Sequence, residues 1–100
     1  VDSGIGGATA AAVGERLAGL AADVQVLVVT HSPQVASMGV NHWRVSKLAG
    51  DSVVQTTVNG LNAQEREEEI ARMLAGAEIT DEARAAASRL LAGRAQGDAA

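Results

Sequence analysis

VQVLVVTHS, residues 24–32, is a run of β-branched and apolar side chains that ends abruptly in polar ones. Val24, Val26, Leu27, Val28 and Val29 are interrupted only by Gln25, the pattern of a strand covered on both faces in a parallel α/β sheet. Ligands of such sheets bind beyond the carboxyl ends of the strands, where Thr30, His31 and Ser32 fall. His31 is therefore the leading candidate for ligand contact. The bland alternative is that it caps a helix opening at Pro33 or bonds to a neighbouring loop.

What precedes the run changes that balance. In VDSGIGGATAAAVGERLAGL, residues 1–20, a glycine-rich turn over Gly4, Gly6 and Gly7 opens an amphipathic helix with Val13, Leu17 and Leu20 on one stripe. Successive backbone N–H groups at such a turn attract anions. There is no GxxxxGK[ST] sequence, however, and Gly-x-Gly-Gly lacks the spacing of a dinucleotide fingerprint. Taken alone, the glycines read as a tight turn into a helix, and Asp2 is divided evenly between capping that turn and orienting a reactant.

Downstream, Pro33 suits the first position of a short helix, PQVASMG, with Gly39 as its terminator. HWRVSKL and SVVQTTV alternate as two strands, with Trp43, Val45 and Lys47 on one face of the first and Val54, Thr56 and Val58 on one face of the second. Gly50 and Asp51 between them predict an antiparallel hairpin at a sheet edge. Asn62 followed by Glu65 is a capping box opening the helix AQEREEEIARMLAG, with Ile70, Met73 and Leu74 as its apolar stripe. Glu68 and Arg72 stand four apart in the favourable order, and Glu67 to Glu69 read as a solvated face. Thr80 opens a last helix, with Asp81 and Glu82 in its positive first turn, Leu90 and Leu91 near its end and Gly93 as its stop. RAQGDAA after it, residues 94–100, reads as a disordered tail behind a single unit over residues 1–93.

The order of loop, helix, buried strand and histidine resembles the C-terminal part of a P-loop, ABC-type ATPase head, and within that superfamily the SMC-like ATPases of bacterial DNA repair. The residues that carry the likeness are VDSGIGGATA, VLVVTHSPQVAS, HWRVSK, EREEEIARMLAG and ITDEARAAASRLL, which together reach residue 91. The resemblance implies an α/β fold with a parallel sheet strand, an edge hairpin and C-terminal helices. It makes His31 the switch histidine that contacts a γ-phosphate, and Asp2 the acid that follows an Asp-Glu pair ending the preceding strand. Ser3, Gly4, Ile5, Gly6 and Gly7 become the D-loop, packed across a dimer of heads. Many ABC proteins carry an acid near Gly6, so no side-chain contact of that acid transfers here. The implied cofactors are ATP and Mg2+ in a complete protein and none on this chain alone, which lacks a phosphate loop, a signature loop and the acidic pair. The implied partners are the remainder of its own head, a second head in a homodimer, and DNA through parts outside this chain. The runner-up is a non-catalytic α/β interaction or regulatory module with His31 structural and the acidic helix as a partner surface.

Composition narrows the field further. A net charge of −4 and a pI near 5.0 provide no basic footprint for a phosphodiester backbone. The absence of cysteine excludes disulfides, thiolate metal sites and a cysteine nucleophile and fits a reducing compartment; with no apolar run near the length of a membrane span the chain reads as cytoplasmic, and the resemblance implies a place at the nucleoid during repair. No metal site is expected, because His42 lies in an alternating strand without a ligand-spaced partner for itself or His31. A triad of His31, Asp2 and Ser3 or Ser32 has no nucleophile-elbow sequence behind it. With 47% hydrophobic residues but Trp43 as the lone aromatic, the apolar inventory consists of small side chains that each remove little area from water. Such a core is expected to lean on partner surface. The chain starts at Val1 with no strand before the glycine loop, which suits a piece of a longer protein.

Overall fold

The computed structural model describes residues 7–50, 53–76 and 78–99. Its elements in chain order are helix α1 (Gly7–Leu20), the short helix α2 (Pro33–Ala36), strands β1 (Trp43–Ala49) and β2 (Val54–Gly60), and helices α3 (Ala63–Ala75) and α4 (Asp81–Ala99). α1 packs on α2, α2 touches α3, and α3 lies along α4. The class is α/β as expected, but the sheet among the described residues is a two-stranded antiparallel one.

Residues 25–32 form neither helix nor strand in this structure, where a parallel strand over 24–30 is expected. The physical reason is pairing. A strand exists through hydrogen bonds to a neighbour, and β1 and β2 pair with each other rather than with this run. Leu27 is 79% exposed and Val29 82%, while Val26 and Val28 between and beside them are half-buried, so alternate side chains of the run face outward.

The hairpin follows its alternation. Val45 pairs with Val58 and Lys47 with Thr56, which puts the expected face of each strand on one side of the ribbon, and Gly50 N–H donates to Val53 O at 2.8 Å to begin the turn. Asp51, expected in that turn, lies outside the described residues. A two-stranded ribbon covers neither face, so Trp43, Val45 and Val58 stay exposed.

The core sits between α3 and α4, where Ile70 and Ala71 meet Ala83 and Ala87, with Met73, Ile79, Leu90 and Leu91 around them. Alanines four apart on α4 let the two backbones approach closely. The expected stripe of Ile70, Met73 and Leu74 is thus displaced toward Glu69, Ile70 and Ala71, the buried residues of α3. α1 departs in the same direction: its buried residues are Ala10 and Gly14, while Leu20 of the expected stripe is exposed. Small residues, not the largest ones, mark the contact faces because helix approach here is limited by side-chain bulk. α4 continues through Gly93 to Ala99, so that glycine is not the helix stop. Gly76 does end α3, with φ of 83° and its N–H on Arg72 O, whereas α2 ends at Ala36 before Gly39 is reached.

Candidate functional site

The loop that carries His31 is built by short polar side chains. Thr30 Oγ1 accepts from Ser32 N–H at 2.9 Å, and Ser32 Oγ accepts from Val35 N–H at 3.3 Å as the N-cap of α2. Pro33 then occupies the first turn, where its missing N–H costs nothing. Ser32 Oγ also donates to Gln34 Oε1 at 3.1 Å, and the buried Ser37 donates to Gln34 O at 3.0 Å. The cap is therefore Ser32, not His31, which corrects the capping arm of the bland alternative for the histidine. His31 stands just before that cap and is exposed. Because the Ser32 hydroxyl is buried and committed to the cap, it cannot act as a nucleophile in a triad.

Two elements hold this loop from opposite sides. A Cβ placed on Gly7 at the start of α1 would lie 3.6 Å from Gln34 Nε2, so the end of the glycine-rich turn and the histidine loop are neighbours. Asp2, Ser3, Gly4, Ile5 and Gly6 lie outside the described residues. Farther along α1, a Cβ on Gly14 would come within 2.9 Å of Met38 Cγ and 3.2 Å of Gln34 O, so glycine is what permits the approach. On the other side Arg66 reaches over from α3. Its Nη2 donates to Ala36 O at 3.1 Å, to Ser37 O at 3.2 Å and to Gly39 O, and its Nη1 donates to Val40 O at 3.4 Å. These carbonyls belong to the end of a four-residue helix and the turn after it, where of the four Ala36 O also accepts from Gly39 N–H at 3.3 Å.

Arg66 is the residue that sequence reasoning missed. One signal was available: a cation directly after the first turn of α3, near the positive end of the helix dipole, suggests a tertiary partner. Beside it stands His42, half-buried, whose Nδ1 has no hydrogen-bond partner among the described residues. Burial pushes the His42 pKa down from its ordinary value, the Arg66 charge adds to that, and Glu69 opposes it.

The charges of α3 also differ from expectation. Arg72 does not pair with Glu68. It makes a two-pronged bond to Glu69, Nε to Oε1 at 2.5 Å and Nη2 to Oε2 at 2.9 Å, while Glu68 accepts from Arg84 Nε of α4 at 2.9 Å. Glu69 is only 5% exposed, so the acidic run is not uniformly a solvated face. The Arg72 hydrogen bond holds the Glu69 carboxyl below its usual range against the opposing effect of burial. An open groove of about 310 Å³ is lined by these paired groups, Arg44, Leu61 and Ile79, and it shares no residue with the histidine loop. Among the described residues no three His, Cys, Asp or Glu side chains stand where they could hold a metal ion. No helix among them is long and apolar enough to cross a membrane.

An α/β unit with a capped histidine loop braced between two helices is what the chain presents, and the proteins whose sequence it shares are DNA repair proteins. RecN is among them: the chain matches a part of that protein, at 55% identity to the one from Xylella fastidiosa over 91 residues, 91% of the chain and 16% of the relative. RecN of Streptomyces coelicolor is 47% identical over 91 residues, and that of Deinococcus radiodurans 48% over 93 residues, 93% of the chain. The chain thus spans 16% of the length of these curated relatives. No protein-family model matches it.

Proposed function

We propose that the chain is the C-terminal part of a P-loop, ABC-type ATPase head in an SMC-like protein of recombinational DNA double-strand-break repair. The observation that carries this reading is the 55% identity to RecN along 91% of the chain. In this reading residues 24–30 become a parallel strand once the remainder of the head supplies its neighbours. The unpaired, outward-facing Leu27 and Val29 support it.

His31 donates an imidazole N–H toward a γ-phosphate oxygen and helps hold the attacking water, which its exposure at the loop allows. Asp2 orients that water or holds the loop, and Ser3, Gly4, Ile5, Gly6 and Gly7 contact a second head across a homodimer. The adjacency of Gly7 and Gln34 supports a joint role for the two segments. ATP supplies the phosphoryl group and Mg2+ neutralises its developing charge, and both are bound by parts of the head outside this chain, as is DNA. The working place is the cytoplasm, at the nucleoid during repair.

The test is His31→Ala in a complete protein carrying this chain. Removing a donor that strengthens in the transition state typically costs about 10²–10³ in turnover, while nucleotide affinity, which rests on the phosphate loop, stays within about twofold. Steady-state ATP hydrolysis together with titration of a fluorescent nucleotide measures both. Wild-type turnover in His31→Ala makes the histidine structural and ends the catalytic reading.

A further inference from the structure

We propose that Arg66 is a positioning residue for His31, gripping the far end of the histidine loop and so setting where the imidazole stands. This rests on the reading of His31 as the group that meets the γ-phosphate.

The geometry is that of a latch. α2 is one turn long, too short to hold itself by helix formation, and its first end is already tied by Ser32. Four carbonyls over residues 36–40 converge on one guanidinium, whose planar fork of donors suits such a cluster where a single ammonium does not. With Ser32 at one end and Arg66 at the other, the stretch from Thr30 to Val40 moves as a unit, and His31 is part of it.

The latch has a firm base. Asn62 Oδ1 accepts from Glu65 N–H at 2.8 Å and Glu65 Oε1 accepts from Asn62 N–H at 2.9 Å, which fixes the first turn of α3 directly before Arg66. Ile70 and Ala71 anchor the next turn against α4. A displacement of the α3–α4 pair therefore reaches the loop through Arg66. Loss of the guanidinium frees partly buried carbonyls and lets the loop drift, and a shift of about 1 Å at a reacting group is enough to cost up to about a hundredfold in rate.

The test is a double-mutant cycle in the complete protein, with R66A, H31A and the pair. R66A lowers kcat for ATP by about tenfold with KM within about twofold, R66K restores part of the loss, and in the H31A background R66A changes kcat by less than about twofold. If R66A costs the same factor with and without His31, Arg66 is a brace for the fold alone; the proposal is then overturned and the assignment of His31 stands. If H31A leaves turnover unchanged, the assignment of His31 falls and this proposal falls with it. Should R66A not fold, R66K and R66Q run through the same cycle and are decided by the same comparison of kcat with and without His31.

Discussion

At the scale of single residues, the charge state of His42 matters to the fold. Its pKa is held below the ordinary 6.5 by burial first and by Arg66 second, with Glu69 pulling the other way. The unfolded chain therefore binds the proton more readily than the folded one. The sign follows: stability linked to His42 is complete above about pH 6.5 and is lost as the pH falls below it. We expect amide exchange around the start of β1 and α3 to accelerate between pH 7 and 5, beyond the intrinsic chemical effect, and His42→Asn to remove most of that dependence. A pH response that persists unchanged in the variant would assign it to another group. His42 looked like an ordinary strand residue in the sequence, since neither its burial nor the cation beside it is local information.

At the scale of elements, the glycines separate according to what stands opposite them. Gly14 faces backbone atoms of α2, Gln34 O and Val35 Cα at 3.2 and 3.4 Å from an added Cβ, and backbone cannot rotate out of the way. Gly14→Ala should therefore force α1 and α2 apart at a cost of about 1–3 kcal/mol, read as faster exchange in both helices. Gly93, inside α4, has nothing within 4 Å of an added Cβ. Gly93→Ala should instead stabilise that helix by about 0.5–1 kcal/mol, read by circular dichroism or exchange of α4 amides. The opposite ranking of the two variants would contradict the packing of α1 on α2. Local rules read the helix starts well: the Asn62–Glu65 capping box forms as written, and Pro33 opens a helix, though the cap before it is Ser32 rather than the histidine. They read the contact faces less well. Which stripe is buried depends on how near another helix comes, and alanine or glycine at Ala10, Gly14, Ala71, Ala83 and Ala87 permits the approach that leucine prevents.

At the scale of the whole molecule, surface is in excess. The chain exposes 7023 Å², against about 5,300 Å² for a compact monomer of 10.1 kDa. Much of the surplus is apolar: Leu27, Val29, Val40, Trp43, Val45, Leu48 and Val58 are all exposed. Patches of this kind associate with a partner or aggregate. Residues 1–100 expressed alone are therefore expected to elute as aggregates or to bind an apolar dye such as ANS, and to melt without a sharp transition. A soluble monomer with a cooperative thermal transition would show that the chain needs no covering surface.

The sequence by itself determined the local starts and stops that depend on neighbours a few residues apart: the capping box, the hairpin and the faces of its strands, the end of α3 at Gly76, and the polar turn that begins at Thr30 and presents His31. Its motifs also pointed to the repair-protein likeness. Tertiary structure decided what rests on groups far apart in the chain. Arg66 meets carbonyls some 26 to 30 positions away, Glu68 chooses Arg84 over Arg72, and the apolar run joins no sheet among the described residues. Propensity and capping are short-range free energies written in adjacent residues, whereas pairing partners and contact faces are settled by which surfaces compete for them in three dimensions.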